Sequence, residues 1–301
     1  MTDIRFILWL QQFSNPLLDS FFTYITMIGN TEYYMIAVPI FYWCINKRDA
    51  FKFIIFFLGS MYLNAVIKAM TAVARPAGDG LRILYNESTR GSSSFPSGHT
   101  QGTASFWGYM ALYFKNKYFT AVSVIIIILV ATSRIYLGLH FPIDVLGGLF
   151  LAFIILCLFK LVYDPIVIRL QKLNRGIRIL LSMFLPLLLL LLPGDDKGML
   201  VGFLIGLIIG SQIEVYYVNF ETSAPILKQI LKLSIGIIGL FGLRVVLKGF
   251  FITIGLSDLT ALGSDILRYF IIGLWASYIA PLIFVKLGLS KIEKDRVKSL
   301  K

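Results

Sequence analysis

Apolar residues recur along the chain in long runs separated by short polar or basic connections. An α-helix rises about 1.5 Å per residue, so roughly 20 apolar residues cross a hydrocarbon core about 30 Å thick. Nine runs near that size are predicted as spanning helices: 32–47, 50–73, 98–115, 118–137, 141–163, 177–193, 197–220, 228–252 and 266–287. Residues 1–30 differ. Trp9, Phe13 and Phe21 are mixed with Arg5, Gln11 and Gln12, and the two apolar pieces break at Asn15-Pro16. Each piece is too short to span comfortably, which predicts an interfacial helical hairpin; a shallow span over 16–30 would add a tenth crossing.

Composition fixes the environment of these helices. Of 301 residues, 57% are hydrophobic and only 15% charged, and the mean hydropathy is +0.81. A soluble domain of this length does not need so apolar a chain. The expected fold is all-α, a polytopic transmembrane bundle. Its expected parts are interfacial helices over 1–30, a helical core over 31–165 and a C-terminal transmembrane region over 176–301. The N-terminus lacks a small-residue cleavage site, so the runs read as retained spans. Cys44 and Cys157 both sit in apolar stretches and read as packed thiols, not a disulfide.

A net charge of +12 fits nucleic acid or, more commonly in such a chain, basic cytoplasmic loops facing anionic lipid; no nucleic-acid partner is expected. One set of connections carries Lys47, Arg48 and Lys52, then Lys115 and Lys117, then Arg169, Lys172, Arg175 and Arg178, then Lys228 and Lys232, and the tail from Lys286 to Lys301. That side is predicted to be cytoplasmic. The segment 74–97, the turn 137–140, the connection Pro193-Gly194-Asp195-Asp196-Lys197 and the loop 253–265 with Asp258 and Asp265 then face outward.

Ionisable residues at membrane depth are costly, so each is a functional candidate. Three clusters stand out, all on the outward side. Lys68 ends one span and Arg75-Pro76 follows; were the helix to continue to Arg75, a spacing of seven would put both cations on one face. Taken singly, the pair also fits two snorkelling side chains. Next, Phe95-Pro96-Ser97-Gly98-His99-Thr100 opens an apolar span. Ser97 suits a helix N-cap, and the free N–H groups of Gly98 and His99 would form an anion site, with His99 as a proton donor beside it; an ordinary capped helix is the plainer alternative. Last come Ser133-Arg134, His140 and Asp144, with Pro142 suited to the first turn of a helix. Asp144 can hold one imidazole N–H and leave the other nitrogen to attack, although a buried Asp and His also satisfy each other without chemistry.

Together the clusters are more specific. The chain has only two histidines, and both fall here. Three cations, two helix N-termini, two imidazoles and a carboxylate in one low-dielectric pocket call for a highly charged anion, and phosphate fits.

At this point the residues resemble a known family. Lys68 through Arg75-Pro76, Pro96-Ser97-Gly98-His99, and Ser133-Arg134 through His140 to Asp144 match the three-part signature of the type 2 phosphatidic acid phosphatase superfamily at every position, over roughly residues 15–165. The resemblance implies a helical core in which His140 attacks phosphorus, Asp144 orients it and His99 protonates the leaving group. Lys68, Arg75, Ser97, Gly98 and Arg134 would hold phosphoryl oxygens. It also implies no metal and no cofactor, in keeping with the lack of a carboxylate pair or His/Cys ligand set on the outer side. The chain departs from the family in its shortened first span.

The C-terminal region offers no phosphate-type motif. Gly202, Gly206 and Gly210 repeat every four residues and Gly236, Gly239 and Gly242 every three, a spacing suited to close helix packing within the chain or to a homodimer. Glu214 and Glu221 are expected to pair with Lys228 or Lys232. The reading carried forward is a multi-pass cell-membrane enzyme that hydrolyses a lipid phosphate or diphosphate at its extracytoplasmic face. Undecaprenyl diphosphate, phosphatidylglycerol phosphate and phosphatidic acid all fit. Phosphotransfer to another acceptor and non-catalytic lipid-phosphate transport are the alternatives.

Overall fold

The structure is a computed structural model that describes residues 4–85, 91–194, 196–255 and 261–293. Asp195, Asp258 and the tail from 294 to 301 lie outside the described residues. Among those described, the fold is helical, with one isolated antiparallel bridge between Phe220 and Ile292. The helices are α1 (Arg5–Gln11), α2 (Pro16–Thr26), α3 (Thr31–Pro39), α4 (Lys47–Thr71), α5 (Gly98–Phe114), α6 (Lys117–Tyr136), α7 (Pro142–Gln171), α8 (Arg175–Phe184), α9 (Lys197–Tyr217), α10 (Ile226–Thr253), α11 (Ala261–Leu274) and α12 (Ala280–Lys286).

Six helical stretches are long and apolar enough to cross a membrane: 47–71, 117–136, 142–171, 197–217, 226–253 and 262–286. The other three expected runs are helical but shorter. Residues 98–114 form α5, of 17 residues; α3 passes at Pro39 into a π-helical turn, Ile40–Ile45; α8 gives way to a 3₁₀ stretch at Leu185–Leu191, with Pro186 near its start. Proline removes a backbone donor and crowds the preceding turn, so a regular ladder changes register there. Residues 5–26 form two short helices, the second capped by Asn15 with Pro16 in its first turn. Phe6 and Trp9 of α1, Phe13 between the helices, and Leu17, Phe21 and Tyr24 of α2 are exposed.

The chain divides into two compact units. The first comprises Met1–Tyr34, Phe53–Ile168 and Pro193–Asp195. Deep in it, Phe53 packs on Phe106 at 5.4 Å and on Tyr109 at 5.0 Å, while Phe56 meets Phe159 of α7 at 5.3 Å. Further along, the α4–α5 contact becomes polar. Ser60 and Ser105 hydroxyls lie 3.0 Å apart, Gln101 donates to the Ser60 carbonyl at 2.8 Å, and Asn64 donates to Gln101 Oε1 at 2.8 Å. This buried, mutually satisfied ladder fixes the register of α5 on α4. Glycines let α5 begin hard against α7: a Cβ at Gly148 would stand 2.7 Å from the Ser97 carbonyl oxygen, and one at Gly147 would stand 2.4 Å from the Phe95 ring.

At the same end, Gln11 donates to the carbonyls of Arg82 at 2.7 Å and Tyr136 at 2.8 Å. Leu10, Leu18 and Phe22 cover a buried cluster of Tyr136, Leu137 and Leu139. The short N-terminal helices thus brace the α6–α7 turn. That turn needs Gly138, whose φ is +73° and whose Cβ would stand 2.5 Å from the Arg82 carbonyl oxygen.

The second unit comprises Met35–Lys52, Arg169–Leu192 and Asp196–Lys301. Within it Gly202, Gly206 and Gly210 of α9 face α11 and the π-turn after it; an added Cβ would stand 2.1 Å from Ile266 O, Phe270 O and Ser277 Oγ respectively. Gly236 and Gly239 of α10 meet the Trp43 and Trp275 rings, whereas Gly242 has nothing within 4 Å. The expected partner of Glu214 is corrected. It pairs with Lys47 at 3.0 Å and accepts from the Phe220 N–H at 2.8 Å. Lys232 instead donates to the carbonyls of Trp43 and Thr222, each at 2.9 Å, and Lys228 to that of Gly288. A chain turn at Val218–Phe220 brings backbone donors to Glu214 and leaves Lys47 as the cation in reach. Cys44 is half-buried, but Cys157 is exposed on α7, so only the first is packed.

Candidate active site

All eight residues singled out by the three clusters lie in the first unit. His140 sits in the turn that leads into α7. Its N–H and that of Leu139 both donate to the Arg134 carbonyl, at 3.2 and 3.1 Å, which folds the turn back over the end of α6. The His140 and Asp144 side chains are almost fully buried. His140 Nδ1 lies 3.4 Å from Asp144 Oδ2 and 3.3 Å from Ser94 Oγ. Ser94 in turn donates to Asp144 Oδ2 at 2.5 Å, and the Phe141 N–H reaches the same oxygen at 2.9 Å.

The other face of the ring has a different neighbour. Arg75 Nη1 lies 3.5 Å from His140 Nε2 and donates to the Leu139 carbonyl at 3.3 Å. A guanidinium has no acceptor, so the nitrogen it faces carries the lone pair. Nδ1 then carries the proton, toward Ser94 and Asp144. The arrangement favours one tautomer, with the ring's lone pair turned toward a permanent cation.

The condition for Lys68 and Arg75 to share a helix face is not met. α4 stops at Thr71, Ala72 has φ +47°, and Arg75 stands in non-helical chain. Both cations nevertheless reach the segment 92–94: Arg75 donates to Ser92 O and Ser92 Oγ, and Lys68 to Ser93 O and Ser94 O. Ser97 is the N-cap of α5, its Oγ accepting from the Thr100 N–H at 3.4 Å and the Thr100 hydroxyl at 3.0 Å, while its own N–H donates to the Asp144 carbonyl at 2.9 Å. Gly98 opens the helix beside Asn64, whose Oδ1 would lie 3.4 Å from an added Cβ. Arg134 is fully buried and donates to Thr26 Oγ1 at 2.9 Å. His99 has a partner from the N-terminal helices, Asn30, with Nε2 and Oδ1 at 2.8 Å.

Sequence reasoning did not find Ser94 or Asn30. Ser94 belongs to a Ser92-Ser93-Ser94 run that reads as loop, and Asn30 follows Gly29 in what reads as a turn. Neither has a spacing signal, because each works through a contact with residues far along the chain. Among the described residues, no three His, Cys, Asp or Glu side chains gather as a metal-ligand set.

Comparison with known proteins gives two family matches. Residues 49–167 match the PAP2 superfamily, and residues 198–292 match the transmembrane extension of PAP2 superfamily phosphatases. Undecaprenyl-diphosphatase BcrC of Bacillus subtilis is 30% identical over 150 residues, covering 48% of this chain and 75% of that protein. Phosphatidylglycerophosphatase B of the same organism is 31% identical over 158 residues, with shares of 48% and 75%. Lipid phosphate phosphatase delta of Arabidopsis thaliana is 25% identical over 177 residues, or 54% of this chain. The match spans 42% of that plant protein, less than half its length.

Proposed function

This chain belongs to the PAP2 superfamily, and from that premise we propose that it hydrolyses a lipid phosphate or lipid diphosphate through a phosphohistidine, without a metal, at the extracytoplasmic face of the membrane. The observation that carries the reading is the setting of His140, whose Nδ1 lies 3.3 Å from Ser94 Oγ and 3.4 Å from Asp144 Oδ2 while Nε2 lies 3.5 Å from Arg75 Nη1.

In this reading Arg75, Lys68, Arg134, Ser97 and the N–H groups at the start of α5 take the phosphoryl oxygens. His140 Nε2 attacks phosphorus, the bond from phosphorus to the lipid oxygen breaks, and His99 gives that oxygen a proton. Water then attacks the phosphohistidine, releasing phosphate and restoring the imidazole. Asp144 stabilises the imidazolium charge that builds during attack. The names of the relatives support substrates of the undecaprenyl diphosphate and phosphatidylglycerol phosphate classes, and phosphatidic acid is a third candidate from the sequence.

Purified full-length protein assayed on a panel of lipid phosphates and diphosphates tests this. Phosphate release is expected to persist in chelator, to vanish in His140→Ala and to fall by orders of magnitude in Asp144→Asn, since the wrong tautomer would be presented. Labelled substrate quenched early is expected to leave acid-labile phosphate on wild type and none on His140→Ala. An active His140→Ala protein overturns the mechanism. Transfer of label to a lipid or sugar with no free phosphate would make the enzyme a phosphotransferase.

A further inference from the structure

His99 is anchored by a residue outside both family matches. Asn30 ends the 3₁₀ turn Met27–Gly29 that follows α2, and its Oδ1 lies 2.8 Å from His99 Nε2. The amide is held from its other end, where Nδ2 donates to the Tyr85 hydroxyl at 3.1 Å. Gly29 makes the approach feasible: a Cβ there would stand 2.9 Å from His99 Cδ2 and 3.0 Å from His99 Cβ. The imidazole therefore lies directly on the turn. An amide oxygen is an acceptor only, so the nitrogen it meets must keep its proton.

We propose that Asn30 is a positioning residue for His99, holding Nε2 protonated throughout the cycle so that Nδ1 is the nitrogen that delivers a proton to the leaving oxygen. The inference rests on His99 acting as general acid in the reaction proposed above. It also accounts for the different partners of the two histidines. His140 faces a carboxylate, which favours the charge it gains on attack. His99 faces a neutral amide, which orients the ring without holding the proton it must surrender. The balance is one proton: Nδ1–H passes to the departing oxygen as its bond to phosphorus breaks, and water restores Nδ1–H after it gives up its own proton in the second step.

The leaving group decides where this matters. A lipid monoester expels an alkoxide about as basic as hydroxide, whereas a diphosphate expels a phosphate whose second pKa is about 6. Asn30 substitutions should therefore affect monoesters selectively. Asn30→Leu keeps the size and loses the acceptor; its monoester kcat is expected to fall at least about tenfold, with a much smaller loss on a matched diphosphate. Asn30→Asp restores an acceptor but adds a negative charge, so its monoester rate is expected to recover while the basic limb of its pH profile moves up by about one pH unit or more. Equal losses on both substrates in Asn30→Leu, or an unmoved basic limb in Asn30→Asp, overturn the proposal. If wild type hydrolyses neither substrate, it is the enzymatic reading that fails.

A measurement on the wild-type chain gives a readout independent of activity. With only two histidines, ¹⁵N-histidine labelling gives two imidazoles, of which His140 is assigned by its loss in His140→Ala. Neutral His99 is expected as the Nε2–H tautomer, and observation of the Nδ1–H form overturns the proposal whatever the activity.

Discussion

Ser94 and the Phe141 N–H both reach Asp144 through a single oxygen, Oδ2, while its Oδ1 is buried with no hydrogen-bond partner among the described residues. A buried carboxylate satisfied on one side only depends heavily on the donors it has. Ser94→Ala removes one of them and also takes away the hydroxyl beside His140 Nδ1. A hydrogen bond to a charged group contributes about 1.5–3 kcal/mol, so kcat is expected to fall roughly ten- to hundredfold if the loss is felt in the transition state. Ser94→Thr keeps the hydroxyl and is expected to recover most of the rate. Kinetics of both variants at matched thermal stability check this, and wild-type kcat in Ser94→Ala would detach Ser94 from the site. Much of the site was legible at this scale, since Lys68, Arg75, Ser97, His99, Arg134, His140 and Asp144 are unusual residue types at fixed spacings in apolar chain. Ser94 and Asn30 were not, because a serine in a serine-rich loop and an asparagine in a turn look like any other until the fold brings residue 144 to one and residue 99 to the other.

Helices were legible as apolar runs, but where each one stops depended on packing. α4 ends at Thr71 although residues 72–74 include no proline or glycine to break it. The chain leaves the helix where the Ala72 N–H still bonds to Lys68 O and Val73 gains partners in the segment 93–94. Tertiary contacts chose that boundary. The glycine spacing on α9 announced close packing without naming the partner, and α11 within the chain supplies it. A methyl at Gly202 would strike the Ile266 backbone, which cannot swing aside as a side chain can. Gly202→Ala is therefore expected to lower stability by about 1–3 kcal/mol, read as a drop in apparent Tm in detergent. Gly242→Ala, with open space at its Cβ, is the control and should leave Tm unchanged or slightly raised. Equal behaviour of the two would mean that α9 and α11 do not meet at these glycines.

Over the whole molecule, basic connections set the expected orientation, and in that orientation α5 would link the two sides within one unit. It runs from Gly98 at the candidate site to a left-handed cap at Lys115, next to Asn116 and Lys117. Cysteine replacing exposed Asp79 should react with an impermeant thiol reagent applied to intact cells, and cysteine replacing exposed Lys117 should not. Cys157 is exposed on α7, so the test is run on a Cys157→Ser background. The reverse pattern would move the site to the cytoplasm. Ser93, although in the same outward segment, is a poor probe because its hydroxyl accepts from the Val73 N–H and its carbonyl holds Lys68.

The length of α5 has a further consequence. Its 17 residues span about 25 Å at ~1.5 Å per residue, some 5 Å less than a hydrocarbon core of about 30 Å. In the proposed orientation, with Lys115 and Lys117 at one headgroup level, Gly98 and the histidine beside it would lie beneath the opposite boundary. A phosphate reaches that depth most readily when it is tethered to a tail already dissolved in the leaflet. The quantity that saturates such a site is a surface density, the mole fraction of substrate among its neighbours in two dimensions, and diluting the lipid with inert bilayer slows the enzyme even when the bulk concentration is unchanged.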